Sequence, residues 1–161
     1  SGAVESSFNS VMEIPRGAYL TIVDPVLIES GLQDSWHDLA VGGGSGSSWV
    51  RIEGRRPMLI HTDELSGDDE VRGFVVATGK IVQHRLSAPE IHTIDQVASS
   101  VAKKGISKIP LRCGLDPEIH PTLQRRITKE LKGTEGTKGF IVDLDVVRPT
   151  GNQKVYVVCK E

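Results

Sequence analysis

Apolar residues recur at every second position in some stretches of the chain and at every third or fourth in others, and these two periods divide it into strands and helices. The run Ala18-Tyr19-Leu20-Thr21-Ile22-Val23, entered from Pro15-Arg16-Gly17, is rich in β-branched and aromatic residues and predicts a strand ending at Asp24-Pro25. Val26-Leu27-Ile28 reads as an extension of that strand or a short strand of its own, and residues 32–41 are open between a helical turn and irregular structure. Further on, Trp49-Val50-Arg51-Ile52-Glu53 and Met58-Leu59-Ile60-His61-Thr62 flank the turn signal of residues 54–57, the pattern of a hairpin. Residues 65–70 form a polar, acidic loop. Beyond it, residues 71–77 and 80–85 flank Thr78-Gly79, which closes a tight hairpin or marks a bulge in one long strand.

At residue 93 the period changes. Thr93-Ile94-Asp95-Gln96 has the form of a capping box, and Ile94, Val97, Ala98 and Val101 line one helical face. Lys103 and Lys104 complement the negative end of this helix, and Gly105 terminates it. A second helix starts at Asp116-Pro117 or His120-Pro121, carries Ile119, Leu123, Ile127 and Leu131 at four-residue spacing, and stops at Gly133. Phe140-Ile141-Val142-Asp143-Leu144-Asp145-Val146-Val147, a turn around Pro149-Thr150-Gly151-Asn152, and residues 154–160 read as a C-terminal β-hairpin. Phe140, Val142, Leu144 and Val146 share a strand face, which is expected to meet the helices.

The resulting fold class is α+β: a mainly antiparallel β-sheet with two consecutive α-helices, about 93–104 and 119–132, packed on it and a C-terminal β-hairpin. Hairpin-length links dominate, and no repeated strand-helix-strand spacing calls for a parallel sheet. With 161 residues the chain suits a single globular domain, 1–161, and 38% hydrophobic with 25% charged residues is an ordinary globular composition. One stretch stands apart. Residues 42–48, Gly-Gly-Gly-Ser-Gly-Ser-Ser, have the composition of a flexible spacer, natural or engineered, and carry no chemistry. No apolar run reaches the roughly 18 to 20 residues of a membrane span, and Ser1-Gly2-Ala3-Val4-Glu5 lacks the pattern of a signal peptide. Cys113 and Cys159 belong to no zinc-like spacing, and so few cysteines fit a reducing compartment, the cytoplasm or the nucleus.

Charge changes this picture more than composition does. Residues 1–75 hold twelve carboxylates against five cations, a net of −7, whereas residues 76–161 hold fourteen cations against nine carboxylates, a net of +5. Such a division steers charged partners. The basic residues concentrate between 80 and 132, and Lys103, Lys104, Arg125, Arg126 and Lys129 are the candidate anionic-ligand surface if the two helices bring them together. No aromatic residue is interleaved with them as a base-stacking platform, which favours contact to a nucleic-acid backbone or an acidic surface over reading of bases.

Catalytic and metal patterns are weaker. His61-Thr62-Asp63-Glu64 is the only close group of metal-capable side chains, and a strand end running into an acidic loop accounts for it equally well. Asp143 and Asp145 share a strand face, either as a metal-binding or acid-base pair or, as preferred here, as the polar side of a half-buried strand. Cys113 has no neighbouring sequence that marks it as an activated nucleophile. No catalytic motif, P-loop or dinucleotide fingerprint is present, and no cofactor or metal is expected. The expected function is therefore a non-catalytic protein-interaction or assembly module that recognises a protein partner, or a second copy, through charge-complementary surfaces bearing exposed Trp36 and Trp49. The alternative is an RNA-binding or other anionic-ligand-binding domain that uses the basic helical cluster.

Overall fold

Seven strands and five α-helices account for most of the residues described by the computed structural model, which are 14–42 and 46–161. In chain order they are β1 (Tyr19–Val23), α1 (Val26–Glu29), α2 (Gln33–Val41), β2 (Ser47–Val50), β3 (Met58–His61), α3 (Asp69–Arg72), β4 (Val75–Leu86), α4 (Ile94–Val101), β5 (Ile106–Lys108), α5 (Ile119–Glu130), β6 (Thr137–Arg148) and β7 (Gly151–Lys160). The N-terminal residues weighed above as a signal peptide, and residues 43–45 of the Gly/Ser stretch, lie outside the described residues. Ser47 and Ser48, the last two residues of that stretch, already pair with β3.

The strands form one sheet in the order β2-β3-β1-β4-β7-β6-β5. This corrects the expected mainly antiparallel sheet with two helices: β5 runs parallel to β6, so the sheet is mixed, and α1, α2 and α3 join the two long helices. The physical reason is length. β5 has three residues, too few for alternation to show, and α5 supplies the long crossover that a parallel pair needs. Likewise α1 and α3 are single turns of four residues, where the sequence reads as strand and as loop or strand. Thr78-Gly79 lies inside β4, which is a single strand of twelve residues whose register against β7 shifts at Ile81/Gln83 and again at Gln83/Leu86.

The sheet is covered on both faces. Leu20, Met58, Ile60, Phe140, Val142 and Leu144 meet in one buried cluster that joins the β1–β3 end of the sheet to β6 and β7. In a flat sheet β3 and β6 would lie four strand spacings apart, about 19 Å. Arg55, just before β3, nevertheless reaches Asp143 of β6 at 2.7 Å, so the sheet curls into a half-barrel around this core. The face of β6 expected to meet the helices is thus the inner one, and the helices pack instead against Ile141 and Val158 on the opposite face. Strands buried on both sides read as continuous apolar runs, so alternation alone does not tell one cover from the other. There Ile94, Val97, Ala98 and Val101 of α4 interlock with Ile119, Leu123 and Ile127 of α5, the two stripes visible in the sequence.

Thr93 does not cap α4 with its side chain; its hydroxyl accepts from Glu90 N–H at 2.9 Å and donates to the Ala88 carbonyl at 2.6 Å. It thereby fixes the 3-10 turn Ile91–Thr93 that leads into the helix. The third cluster sits outside β1–β3, where Trp36, Trp49, Leu59 and Val71 pack under α1, α2 and α3. The two tryptophans are therefore core residues, 3% and 6% exposed, and not the exposed contact residues expected from sequence. Trp36 Nε1 donates to the Val71 carbonyl at 3.0 Å, which satisfies the one polar atom of a ring that is otherwise apolar.

Candidate functional site

His61, the centre of the metal-capable group, ends β3 and is buried, with every polar atom committed. Its Nδ1 donates to the Asp63 carbonyl at 2.6 Å, which fixes the tautomer, so Nε2 accepts from the Thr21 hydroxyl at 2.7 Å. Thr21 in turn accepts from Thr78 at 2.7 Å, and Tyr19 stacks on the imidazole. Among the described residues no group of three His, Cys, Asp or Glu side chains is placed to hold a metal ion. Burial pushes the His61 imidazole below its ordinary value, against the raising effect of the Asp63 carbonyl and charge. Because the folded value lies below the unfolded one, the unfolded chain takes the proton first and stability drops as the pH falls through about 6.5. Melting temperatures measured between about pH 7 and pH 5 should show this decline, and the decline should flatten in His61→Gln. An identical pH slope in the two proteins rules out His61 as its source.

Asp143 is likewise no part of an exposed strand face. It is 1% exposed and accepts from Arg55 Nη1 at 2.7 Å, with Gly114 N–H at 3.4 Å and Lys154 Nζ at 3.6 Å completing its surroundings. Arg55, from the β2–β3 connection, also donates to the Arg112 carbonyl at 2.6 Å. The guanidinium thus fastens the far end of the sheet to β6 and to the segment that follows β5. Beside it lies a cavity of about 270 Å3 between Ile22, Met58, Arg56, Arg112 and Cys113. Among the described residues no histidine lines it. Burial, then the Asp143 charge, push the Cys113 thiol up to about 12, so it stays protonated at neutral pH and is not the thiolate that a nucleophile requires.

A larger groove lies between β5 and α5. It encloses about 1080 Å3 over Ile109, Pro110 and Leu131, and Lys108, Arg125, Lys129 and Lys132 stand around it. Among the described residues no carboxylate lines the groove and none of these four cations pairs with one. β5 is the last strand of the sheet, so one of its sides carries no strand among the described residues. Gln124 holds the wall in place: its Nε2 donates to the Ile109 carbonyl at 2.9 Å and its Oε1 accepts from Leu111 N–H at 3.2 Å. This amide clamp satisfies backbone groups where the chain leaves β5 and ties that segment to the helix.

The five cations singled out from sequence separate. Arg125 and Lys129 stand on the groove. Arg126, one residue on and turned toward α4, donates to Asp95 at 3.0 Å and to Glu130, which neutralises it locally. Lys103 and Lys104 follow α4 and do not line the groove. Lys108 and Lys132 join it because β5 and the end of α5 are adjacent in space. Their membership in the basic stretch is visible in the sequence; their common wall is not. Gln124 carries no sequence signal at all, being one polar residue on the flank of an amphipathic helix.

The chain matches no family model and no curated protein sequence. Among solved structures it is similar to the crystal structure of PH1313 from Pyrococcus horikoshii Ot3, at 10% sequence identity and a TM-score of 0.37. The match covers 89% of this chain and 55% of that one, so the chain spans about half the length of its structural neighbour. A likeness this loose carries neither fold nor function across.

Proposed function

We propose that the protein is a binding module that receives an extended acidic segment of a partner protein in the groove between β5 and α5. The observation that carries the reading is the union of an apolar floor and four cations, Lys108, Arg125, Lys129 and Lys132, beside what is an edge strand among the described residues, none of which brings an acidic side chain to the wall. An edge strand offers backbone groups to an extended chain, and alternate side chains of that chain then reach the floor. The cations favour partners that place carboxylates between those apolar residues, and they repel basic segments. Arg125 and Lys129 are one helical turn apart on α5, a spacing that suits carboxylates distributed along the segment.

The test is a fluorescence-anisotropy titration of a labelled peptide that alternates Glu or Asp with Val or Leu, against its Lys-substituted counterpart and a single-stranded oligouridine. The acidic peptide should bind saturably and more weakly at higher salt, the basic peptide should not bind, and Arg125→Glu combined with Lys129→Glu should abolish binding. Each cation reversed removes one attraction and adds one repulsion, so the combined effect is expected to exceed about tenfold. Binding of oligouridine in preference to the acidic peptide would transfer the groove to nucleic acid. Equal binding of acidic and basic peptides would remove charge recognition from the account.

A further inference from the structure

We propose that the mouth of the half-barrel, framed by Arg16, His84, Arg85 and Arg148, is a binding site for a small phosphomonoester. The cleft encloses about 780 Å3 over Ile14, Val146 and Val155. Val146 and Val155 belong to the inner core and Ile14 packs against it, so the cleft is the open end of that core. Its cations come from three distant parts of the chain: the approach to β1, the C-terminal end of β4, and the C-terminal end of β6. Among the described residues, none of the three arginines forms an ion pair with a carboxylate and no carboxylate lines the cleft.

Two features of the backbone build this end of the sheet. The two register shifts in β4 lie between Ile81 and Gln83 and between Gln83 and Leu86, the second spanning His84 and Arg85, and such irregularities bend a strand and re-aim the side chains near them. His84 Nε2 then donates to the Pro15 carbonyl at 3.2 Å, which ties the segment bearing Arg16 to β4. Converging guanidinium groups repel one another unless an anion sits among them. Their planar forks match phosphate oxygens in pairs, and their weak hydration lowers the cost of leaving water. A volume of this size over an apolar floor exceeds what a bare phosphate fills and suits a phosphate attached to a flat or apolar body. The site lies on elements other than the β5–α5 groove, so it stands independently of the function proposed above.

Isothermal titration of the full chain with AMP, inorganic phosphate and adenosine tests the assignment. AMP should bind saturably, phosphate should bind more weakly and compete with it, and adenosine should not bind. Arg85→Gln combined with Arg148→Gln should weaken AMP binding by about tenfold or more, because each lost charge-assisted hydrogen bond is among the stronger polar contacts. Arg16→Gln, at an exposed position, should weaken binding on its own, which keeps the test decisive if the double variant does not fold. Arg125→Gln, in the other groove, should leave AMP binding unchanged. Adenosine binding as tightly as AMP, AMP binding that survives the loss of these arginines, or no saturation by millimolar AMP at low salt overturns the proposal.

Discussion

Arg55→Ala should lower the stability of the protein by about 3 kcal/mol, read as a shift in the denaturant midpoint at constant slope. The loss arises at Asp143 more than at the arginine. Removing Arg55 leaves a carboxylate that is 1% exposed with a lysine at 3.6 Å and one backbone N–H at 3.4 Å as its remaining polar neighbours. Breaking a buried pair from one side costs about 3 to 5 kcal/mol, and the residual lysine places this case at the lower end. The reverse substitution should be milder. Asp143→Asn leaves a guanidinium that is a quarter exposed and still bonded to the Arg112 carbonyl, and the new amide oxygen can keep the Gly114 contact, so a loss of about 1 to 2 kcal/mol is expected. Equal losses for the two variants would show that desolvation of Asp143 does not govern the pair.

Phe140→Ala should cost about 3 to 5 kcal/mol, the range for emptying an aromatic site in a packed core. Phe140 is 1% exposed and lies opposite Cys159 in the β6–β7 ladder, in the cluster shared by both ends of the curled sheet. On the opposite face of the same strand, a Cβ at Gly139 would stand 2.5 Å from the Cys159 carbonyl oxygen and 2.8 Å from Ile106 Cδ1, so β6 lies tight against β7 and β5 at this point. By contrast Ile91→Ala, at a side chain 68% exposed, should change stability by no more than about 0.5 kcal/mol. Urea titrations of the two variants compare them directly. A loss below about 1 kcal/mol for Phe140→Ala contradicts a tightly packed inner core.

These two residues also mark how far the chain could be read in advance. Phe140 sits in an alternating run that identifies it as a core residue, and the packed face of β6 confirms the alternation while reversing the cover assigned to it. Asp143 lies in the same run, and there the pattern misleads, because an acidic residue between valines and leucines is the ordinary mark of a solvent-facing position. Its burial depends on an arginine 88 positions earlier in the chain. Trp36 and Trp49 differ for a related reason: Trp36 lies in a segment without clear period, Trp49 in a hairpin strand whose pattern does not say what covers it, and three short helices cover both.

Local rules acting over one or two turns were enough to determine α4, α5 and the β6–β7 hairpin, because each buries one continuous stripe or closes through a two-residue turn, Pro149-Thr150. The concentration of cations between residues 80 and 132 was equally plain in the sequence. Which of them act together was decided by the tertiary structure alone. Arg125 and Arg126 are neighbours in the chain, yet successive helical residues point about 100° apart, so one stands on the β5–α5 groove and the other is held by Asp95 and Glu130. Arg16, Arg85 and Arg148 share a cleft because the antiparallel order β1-β4-β7-β6 brings the start of β1 and the C-terminal ends of β4 and β6 to one end of the sheet. Side-chain periodicity reports which face of an element is buried; the curl of the sheet and the parallel crossover through α5 determine what that face meets.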